Sequence, residues 1–369
     1  MNAAGHGGAT RPGGPVTLRD VAELAGVSSA TASRALGNSS RRMDDELRQR
    51  VRDAAAQLRY VSNGPAQALA SKTTSVVGLI VHDVNDPYYS ALASGAMTVA
   101  REHDLLMMMA SAYRDPALQA EYVSRLRAQR ARAILLAGGL DTGDDSRLAD
   151  EVAAFAAQGG RVVAVSSRGL DVDTIAPGNE EGARQVARHL HQLGHRRVGV
   201  IAGPPTLVSV QDRLRGFLDE CTRLGVTVAP DHQVEGDFTR DSGRIAVRRL
   251  IERAGDLTAV FALNDAMAVG VLAGVRDDLG RQVPHDISVV GFDDTPSAVD
   301  VTPALTTVNL PLVDIGRQAM ELALEDGVAR PRVLDVPGRL VVRGSTAQLG
   351  VSAVPGSAAA ASDAADAAG

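Results

Sequence analysis

The chain has 369 residues, enough for one small and two larger domains, and no apolar run approaches the length of a bilayer span. Its formal charge is −6, yet the ten bases and six acids of residues 1–74 make that segment +4 and leave −10 for the remainder, a basic head on an acidic body that suits phosphate neutralisation by the head alone. The single cysteine, Cys221, excludes an intrachain disulfide, and its helical spacing with Phe217, Leu218 and Leu224 reads as core rather than nucleophile. Residues 1–15 are glycine-rich and lack the apolar run of a signal peptide, so a disordered tail and a cytoplasmic protein are expected.

Val16–Leu36 reads V-T-L-R-D-V-A-E-L-A-G-V-S-S-A-T-A-S-R-A-L, two short helices joined by a tight turn. Thr17 and Asp20 bring oxygens to the first helix start, with Val21, Ala22 and Leu24 as its apolar face. Gly26 allows the sharp turn, Val27 tucks behind it, and Ser28 caps a second helix whose inward positions are Ala32, Ala35 and Leu36. Ser29, Ala30, Thr31, Ser33 and Arg34 then face outward. Short side chains let such a helix approach base edges, and an arginine can grip guanine O6 and N7 with two hydrogen bonds. A third amphipathic helix follows over Asp44–Leu58, and Asn63, Ala66 and Leu69 stand in an N-x-x-A-x-x-L pattern.

This stretch closely resembles the headpiece of the lactose-repressor (LacI/GalR) family of bacterial transcription regulators. The resemblance implies a helix-turn-helix headpiece over residues 16–61 and a hinge helix and linker over 62–74. It also implies that Leu69 is an apolar wedge driven into a central base step from the minor groove, with Ala66 beside it. Unstacking a step in this way costs about a few kcal/mol, offset by added contacts. Ser62 stands where the family often has proline, which leaves the hinge less ordered in the free protein. The expected DNA contacts are Thr17, Ser28, Ser29, Ala30, Thr31, Ser33, Arg34, Arg41, Asn63, Ala66 and Leu69.

From Ser75 to Leu349 short apolar runs alternate with helical segments, the pattern of parallel α/β units. Strands are expected at Val76–Val81, Leu105–Ala110, Ala133–Ala137 and Arg161–Val165. A second set is expected at Arg197–Ile201, Ala259–Leu263 and Ser288–Gly291. Two sets imply two doubly wound subdomains with a ligand cleft between the carboxyl ends of their strands. That core resembles the periplasmic-binding-protein fold of the same family. The family pattern implies that the chain crosses between subdomains near Pro177, Thr307 and Pro337. Subdomain one then takes residues 75–176 and 308–336, and subdomain two takes 177–307 and 337–349. Residues 350–369 are an Ala/Ser/Asp tail without a leucine heptad; the family's tetramers use such a heptad, so a homodimer is expected.

Asn85-Asp86-Pro87-Tyr88-Tyr89 leaves the first strand at its carboxyl end and resembles the family's D-x-x-N-P-F-F motif, with two aromatics suited to stacking on a ring. Ser209–Phe217 resembles S-x-x-x-R-x-x-G-[FYW], which makes Arg213 the cleft arginine, a planar fork for carboxylate, phosphate or hydroxyls. Phe238, Asn264, Asp265 and Asp293 complete the expected effector set with Asp86, Tyr88 and Tyr89. Two departures stand out: Ser166-Ser167-Arg168 replaces an acidic residue common in sugar-binding members, and Leu310 stands where a glutamine is frequent. The expected effector is a small molecule, a sugar or related metabolite.

His189, His191 and His195 do not form a metal set, because Leu193-Gly194 ends the helix between them. Neither G-x-G-x-x-G after a strand nor a phosphate-binding G-x-x-x-x-G-K-[ST] is present. No nucleophile–base pair is legible, so an enzyme is not expected and no cofactor is implied. A solute-binding protein would share the core but not the headpiece. The reading is a dimeric DNA-binding regulator, most simply a repressor of a palindromic operator, with no membrane role.

Overall fold

The computed structural model describes residues 16–36, 43–60, 74–139, 146–166, 169–325 and 330–350. Arg41, Asn63, Ala66 and Leu69, the hinge helix, Ser167-Arg168 and the tails 1–15 and 351–369 lie outside the described residues. The chain divides into two compact units at Thr74/Ser75.

The first unit is a three-helix cluster, α1 (Leu18–Ala25), α2 (Ser29–Leu36) and α3 (Asp45–Gln57). At the start of α1, Thr17 Oγ1 accepts from the Asp20 N–H, and the Asp20 carboxylate accepts in return from the Thr17 N–H and hydroxyl, both at 2.8 Å. This reciprocal arrangement satisfies donors that a helix start otherwise leaves open. Gly26 ends α1 at φ +64°, a conformation in which a side chain would be strained. The core joins Val21, Ala22 and Ala25 of α1, Ala32 and Ala35 of α2, and Val51, Ala54 and Ala55 of α3. Leu24 is a correction: it is 47% exposed and Ala25 takes the inward place, because positions 21, 22 and 25 share a helix face.

The second unit contains a six-stranded sheet in the order β11-β5-β4-β3-β1-β2 and a four-stranded sheet in the order β7-β6-β8-β9, with every pairing parallel. The strands are β1 (Val76–Val81), β2 (Leu106–Ser111), β3 (Ala133–Ala137), β4 (Arg161–Val165), β5 (Asp173–Pro177), β6 (Val198–Ala202), β7 (Gln233–Glu235), β8 (Ala259–Ala262), β9 (Ser288–Val290), β10 (Thr307–Asn309), β11 (Val333–Val336) and β12 (Arg339–Val341). Between them run α4 (Pro87–Glu102), α5 (Pro116–Ala128), α6 (Ser146–Ala157), α7 (Asn179–Gln192), α8 (Val208–Leu224), α9 (Arg240–Arg253), α10 (Asp265–Ala273), α11 (Ser297–Asp300) and α12 (Leu312–Leu324). Apolar strands such as β3, buried along its whole length, are what a parallel sheet covered on both faces demands.

The chain passes from the first sheet to the second after β5, returns through β10, and passes back through β12; β10 and β12 pair antiparallel, Thr307 opposite Val341. In the first subdomain α4 and α12 touch backbone to backbone. A Cβ on Gly316 would sit 1.9 Å from the Leu92 carbonyl oxygen, and one on Gly95 1.8 Å from that of Val313. Only glycine fits there. Gly316→Ala is expected to destabilise the core by about 1–3 kcal/mol through overpacking. Urea unfolding checks this, and an unchanged midpoint would contradict the close crossing.

Candidate DNA-reading face and effector cleft

In the first unit Ser28 Oγ accepts from the Thr31 N–H at 3.1 Å and caps α2, while the two hydroxyls share a 2.9 Å hydrogen bond. Ser29, Ala30, Ser33 and Arg34 are exposed along one side of α2, opposite Ala32 and Ala35. Thr31 is half-buried and so belongs to the edge of that face. The Arg34 guanidinium folds back, its Nε donating to the Ala30 carbonyl at 3.1 Å, so its free-state position is held by its own helix. Arg50, which sequence reading passed over, donates from Nε to the carbonyl of Ala25 at 3.1 Å and closes the end of α1.

In the second unit the expected effector residues gather at strand carboxyl ends. Arg213, only 2% exposed, donates from Nε to Asn179 Oδ1 (2.9 Å), from one terminal nitrogen to the Leu263 carbonyl, and from the other to Asp293 Oδ1 (2.6 Å). Its guanidinium carbon lies 4.0 Å from the centroid of the Phe292 ring, a cation–π contact. The fork read from sequence as open to a ligand is thus largely engaged by protein. Burial pushes the Asp293 carboxyl up, and the positive charge of Arg213 opposes that rise.

Asp86 caps α4 by accepting from the Tyr88 N–H at 2.9 Å, and burial raises its carboxyl above the usual range. Tyr88 and Tyr89 are buried and meet edge to face, ring centroids 5.0 Å apart. Burial lifts the Tyr88 hydroxyl to about 12, and the nearby Asp293 adds to the rise. Asp86, Tyr88, Arg213 and Asp293 therefore belong to one electrostatic neighbourhood.

Asn264 and Asp265 are placed differently from the expectation of ligand contacts. Asn264 caps α10 by accepting from the Met267 N–H at 2.9 Å, and its amide donates to the Phe238 carbonyl at 3.2 Å. Asp265 is fully buried, and its carboxylate accepts from the Thr307 hydroxyl (2.6 Å) and from the Thr295 N–H (2.6 Å) and hydroxyl (3.1 Å). It fastens the β10 crossing to the second subdomain, because a carboxylate with no water must find donors in the protein. Phe238 is half-buried at φ +71°, with its ring against Gly203.

Among the described residues, backbone carbonyls take hydrogen bonds across the cleft. Arg114 donates to the Asp237 carbonyl at 2.9 Å, and the Val208 N–H to the Gly139 carbonyl at 3.2 Å. A cavity of about 440 Å³ is lined by Ser166 and Thr174 on one side and Asn179, Val208 and Asp212 on the other. That volume falls in the range of small-molecule sites. A larger cavity of about 670 Å³ lies by Arg161, Asp173 and Arg330, at the amino ends of β4 and β5, where doubly wound sheets do not place ligands.

Sequence reading also passed over His82, which is 3% exposed at the end of β1 with neither ring nitrogen hydrogen-bonded; the Ser166 hydroxyl at the end of β4 likewise lacks a partner. Burial pushes the His82 imidazole down to about 4, with Arg114 adding to the shift. Each unpaired buried group costs about 1–3 kcal/mol. By contrast His195 bonds Thr258 and the Ala347 carbonyl, His189 bonds Thr346, and burial raises the Cys221 thiol to about 12. These are packing roles.

Residues 17–63 match the bacterial regulatory proteins, lacI family, and residues 187–346 a periplasmic binding protein-like domain. The HTH-type transcriptional regulator GalR of Escherichia coli K12 is 33% identical over 89% of this chain and 94% of its own length. CelR of Thermobifida fusca is 32% identical over 84% and 91%. Among solved structures, the lac repressor dimer bound to operator and the anti-inducer ONPF superposes with TM-score 0.79 at 28% identity, covering 90% of this chain and all of that one. A CelR–cellobiose complex gives TM-score 0.67 at 30% identity, covering 89% and 99%. No helix among the described residues is long and apolar enough to cross a membrane.

The Asp265 environment predicts a pH dependence. Burial raises its carboxyl from 3.8 to about 6, so its contribution to stability is fully present below pH 3.8 and is lost as pH rises through 6, on the order of 3 kcal/mol in all. Urea midpoints from pH 4 to 7 are expected to fall more steeply for the wild type than for Asp265→Asn, which cannot titrate; parallel slopes would contradict the assignment.

The capped helix-turn-helix, the doubly wound core and these relatives together make the chain a member of the LacI family of bacterial transcriptional regulators, and not an enzyme.

Proposed function

We propose that this regulator binds a palindromic operator as a homodimer, represses the adjacent genes, and is controlled by a small molecule in the cleft of its core. The observation that carries the DNA half of this reading is the face of α2, where Ser29, Ala30, Ser33 and Arg34 lie exposed behind a buried alanine seam. Small side chains permit close approach to base edges, and Arg34 reaches guanine once it leaves the Ala30 carbonyl. Arg41 supplies a phosphate contact, Asn63 lies at the start of the hinge segment, and Leu69, with Ala66, pries open the central step from the minor groove. The whole acts on DNA in the cytoplasm.

Self-association is supported by the edge strand β2, which leaves Leu106 and Met108 exposed on one face, while Met97 of α4 is exposed beside Met109 on the other. Exposed apolar edges of this kind favour pairing with a copy. Two-fold symmetry then demands a palindrome. The effector half rests on Asp86, Tyr88, Tyr89, Phe238, Arg213 and Asp293 around the cleft, and on relatives one of which was solved with cellobiose. A ligand that favours one degree of closure shifts operator affinity by a coupling of about 1–3 kcal/mol, and DNA shifts ligand affinity equally.

Footprinting on the gene's own upstream DNA with excess competitor tests the reading. A protected pseudo-palindrome with enhanced cleavage at its centre is expected. Arg34→Ala is expected to lose roughly tenfold or more of specific affinity, about 1–3 kcal/mol, while keeping nonspecific binding. Leu69→Ala is expected to abolish the central enhancement. Equal losses of specific and nonspecific binding would remove both assignments.

A further inference from the structure

The chain enters the core at β1, whose first residue is Val76. Of the whole core, the amino end of β1 is therefore tethered by the fewest residues to the hinge segment and to the DNA it engages. With Leu69 in the central base step, Val76 lies seven residues on, no more than about 25 Å away along a fully extended chain. Any helical turn in between shortens that reach, because a helical residue rises only about 1.5 Å. The phosphates stand at the lips of the minor groove, about 7.5 Å above its floor, and so meet the core before the base step does.

Arg132 stands at this place. Its N–H donates to the Val76 carbonyl at 2.7 Å, and β3 then runs beside β1 with Ala133 opposite Val77. Other arginines near the same end of the sheet are held by carboxylates: Arg161 and Arg332 by Asp173, Arg127 by Glu151. Arg132 is half-buried, yet among the described residues its guanidinium has no ion-pair or hydrogen-bond partner. A group that is always charged and offers five donors has lost part of its hydration there without a return inside the chain. We propose that Arg132 grips a phosphate of the operator backbone, once from each protomer, on either side of the opened step. The proposal rests on the dimer and hinge reading above and adds a DNA contact made by the core.

A phosphate contact reads no base edge, so its loss weakens operators of different half-site sequence alike. It also releases condensed counterions, which adds about 0.9 to the slope of log affinity against log salt for each phosphate neutralised. Because the geometry requires Leu69 in the step, the contact forms on the operator and not on random-sequence DNA. The remainder of the core is acidic and repels the duplex, so a cation at this point also lowers that repulsion locally.

Binding of the full-length protein to its footprinted operator and to a random-sequence duplex of equal length, between about 50 and 200 mM KCl, tests this. Arg132→Gln is expected to lower the operator slope by about 1.8, two contacts per dimer, so that the advantage of the wild type shrinks about tenfold over that range. The slope on random DNA is expected to stay at the wild-type value, and Arg132→Lys, which keeps the charge, is expected to restore the operator slope. Arg330→Gln is the control for net charge. Arg330 is exposed, also without a partner among the described residues, and lies just before β11, four strand spacings or about 19 Å from β1. That exceeds a Debye length of about 10 Å, so its removal is expected to leave the slope unchanged. An unchanged operator slope for Arg132→Gln, with the central cleavage enhancement intact, would overturn the contact and leave the hinge reading standing. An equal fall for Arg330→Gln, or on random DNA, would overturn it in favour of a general field effect. A lowered slope in Arg132→Lys as well would make Arg132 a packing residue. Absence of the central enhancement in the wild type would overturn the hinge reading and this contact together.

Discussion

The buried guanidinium of Arg213 is the constraint on which the core's functional geometry depends. It comes from α8, and its donors reach Asn179 just after the first crossing, Leu263 at the end of β8, and Asp293 just after β9. Asp293 in turn donates its N–H to the Val308 carbonyl in the second crossing strand. One cation therefore ties four chain segments that meet where the subdomains join. A charge taken from water survives only with partners of good geometry, so this position tolerates little local rearrangement. Arg213, only 2% exposed, holds these segments from behind the cleft wall.

The second subdomain is fastened to its crossing strands by Asp265, whose oxygens take Thr307 and Thr295, and by Arg343, which pairs with Asp294 at 2.6 Å. Within the first subdomain the glycine seam packs α4 against α12, the helix that follows the β10 crossing. Across the cleft mouth Arg114 bonds the Asp237 carbonyl and the Val208 N–H bonds that of Gly139. Firm attachment at the crossings leaves hinge motion about them as the change such a pair of bodies can make.

Much of this was legible in the sequence because parallel strands are apolar along their length. Val76–Val81, Ala133–Ala137 and Arg161–Val165 match the structure at both ends, and the other four fall within one residue. The headpiece was legible because caps and turns are local, Thr17 with Asp20 and Gly26 at positive φ. Strands β5, β7, β10, β11 and β12 escaped: three residues such as Thr307–Asn309 carry no periodicity, and β5 (Asp173–Pro177) and β11 (Val333–Val336) mix polar residues and a proline into short runs. Asp265 and Asp293 look alike in sequence, each at a strand end; only the long-range contacts with Thr307 and Arg213 separate a fastening from a cleft residue. His82 gave no signal, because a lone histidine after an apolar run is ordinary until its surroundings are known to leave it without partners.

A double-mutant cycle on Arg213 and Asp293 tests the central claim most directly. Asp293→Leu is expected to cost about 3–5 kcal/mol of unfolding free energy because it strands a buried guanidinium, and Arg213→Met about 1–3 kcal/mol because the buried Asp293 carboxyl, which burial already pushes toward its neutral form, loses its donor. The double variant is expected to cost far less than the sum, giving a coupling of about 2 kcal/mol or more. Additive losses would show that the pair is not the element that holds the crossing segments together.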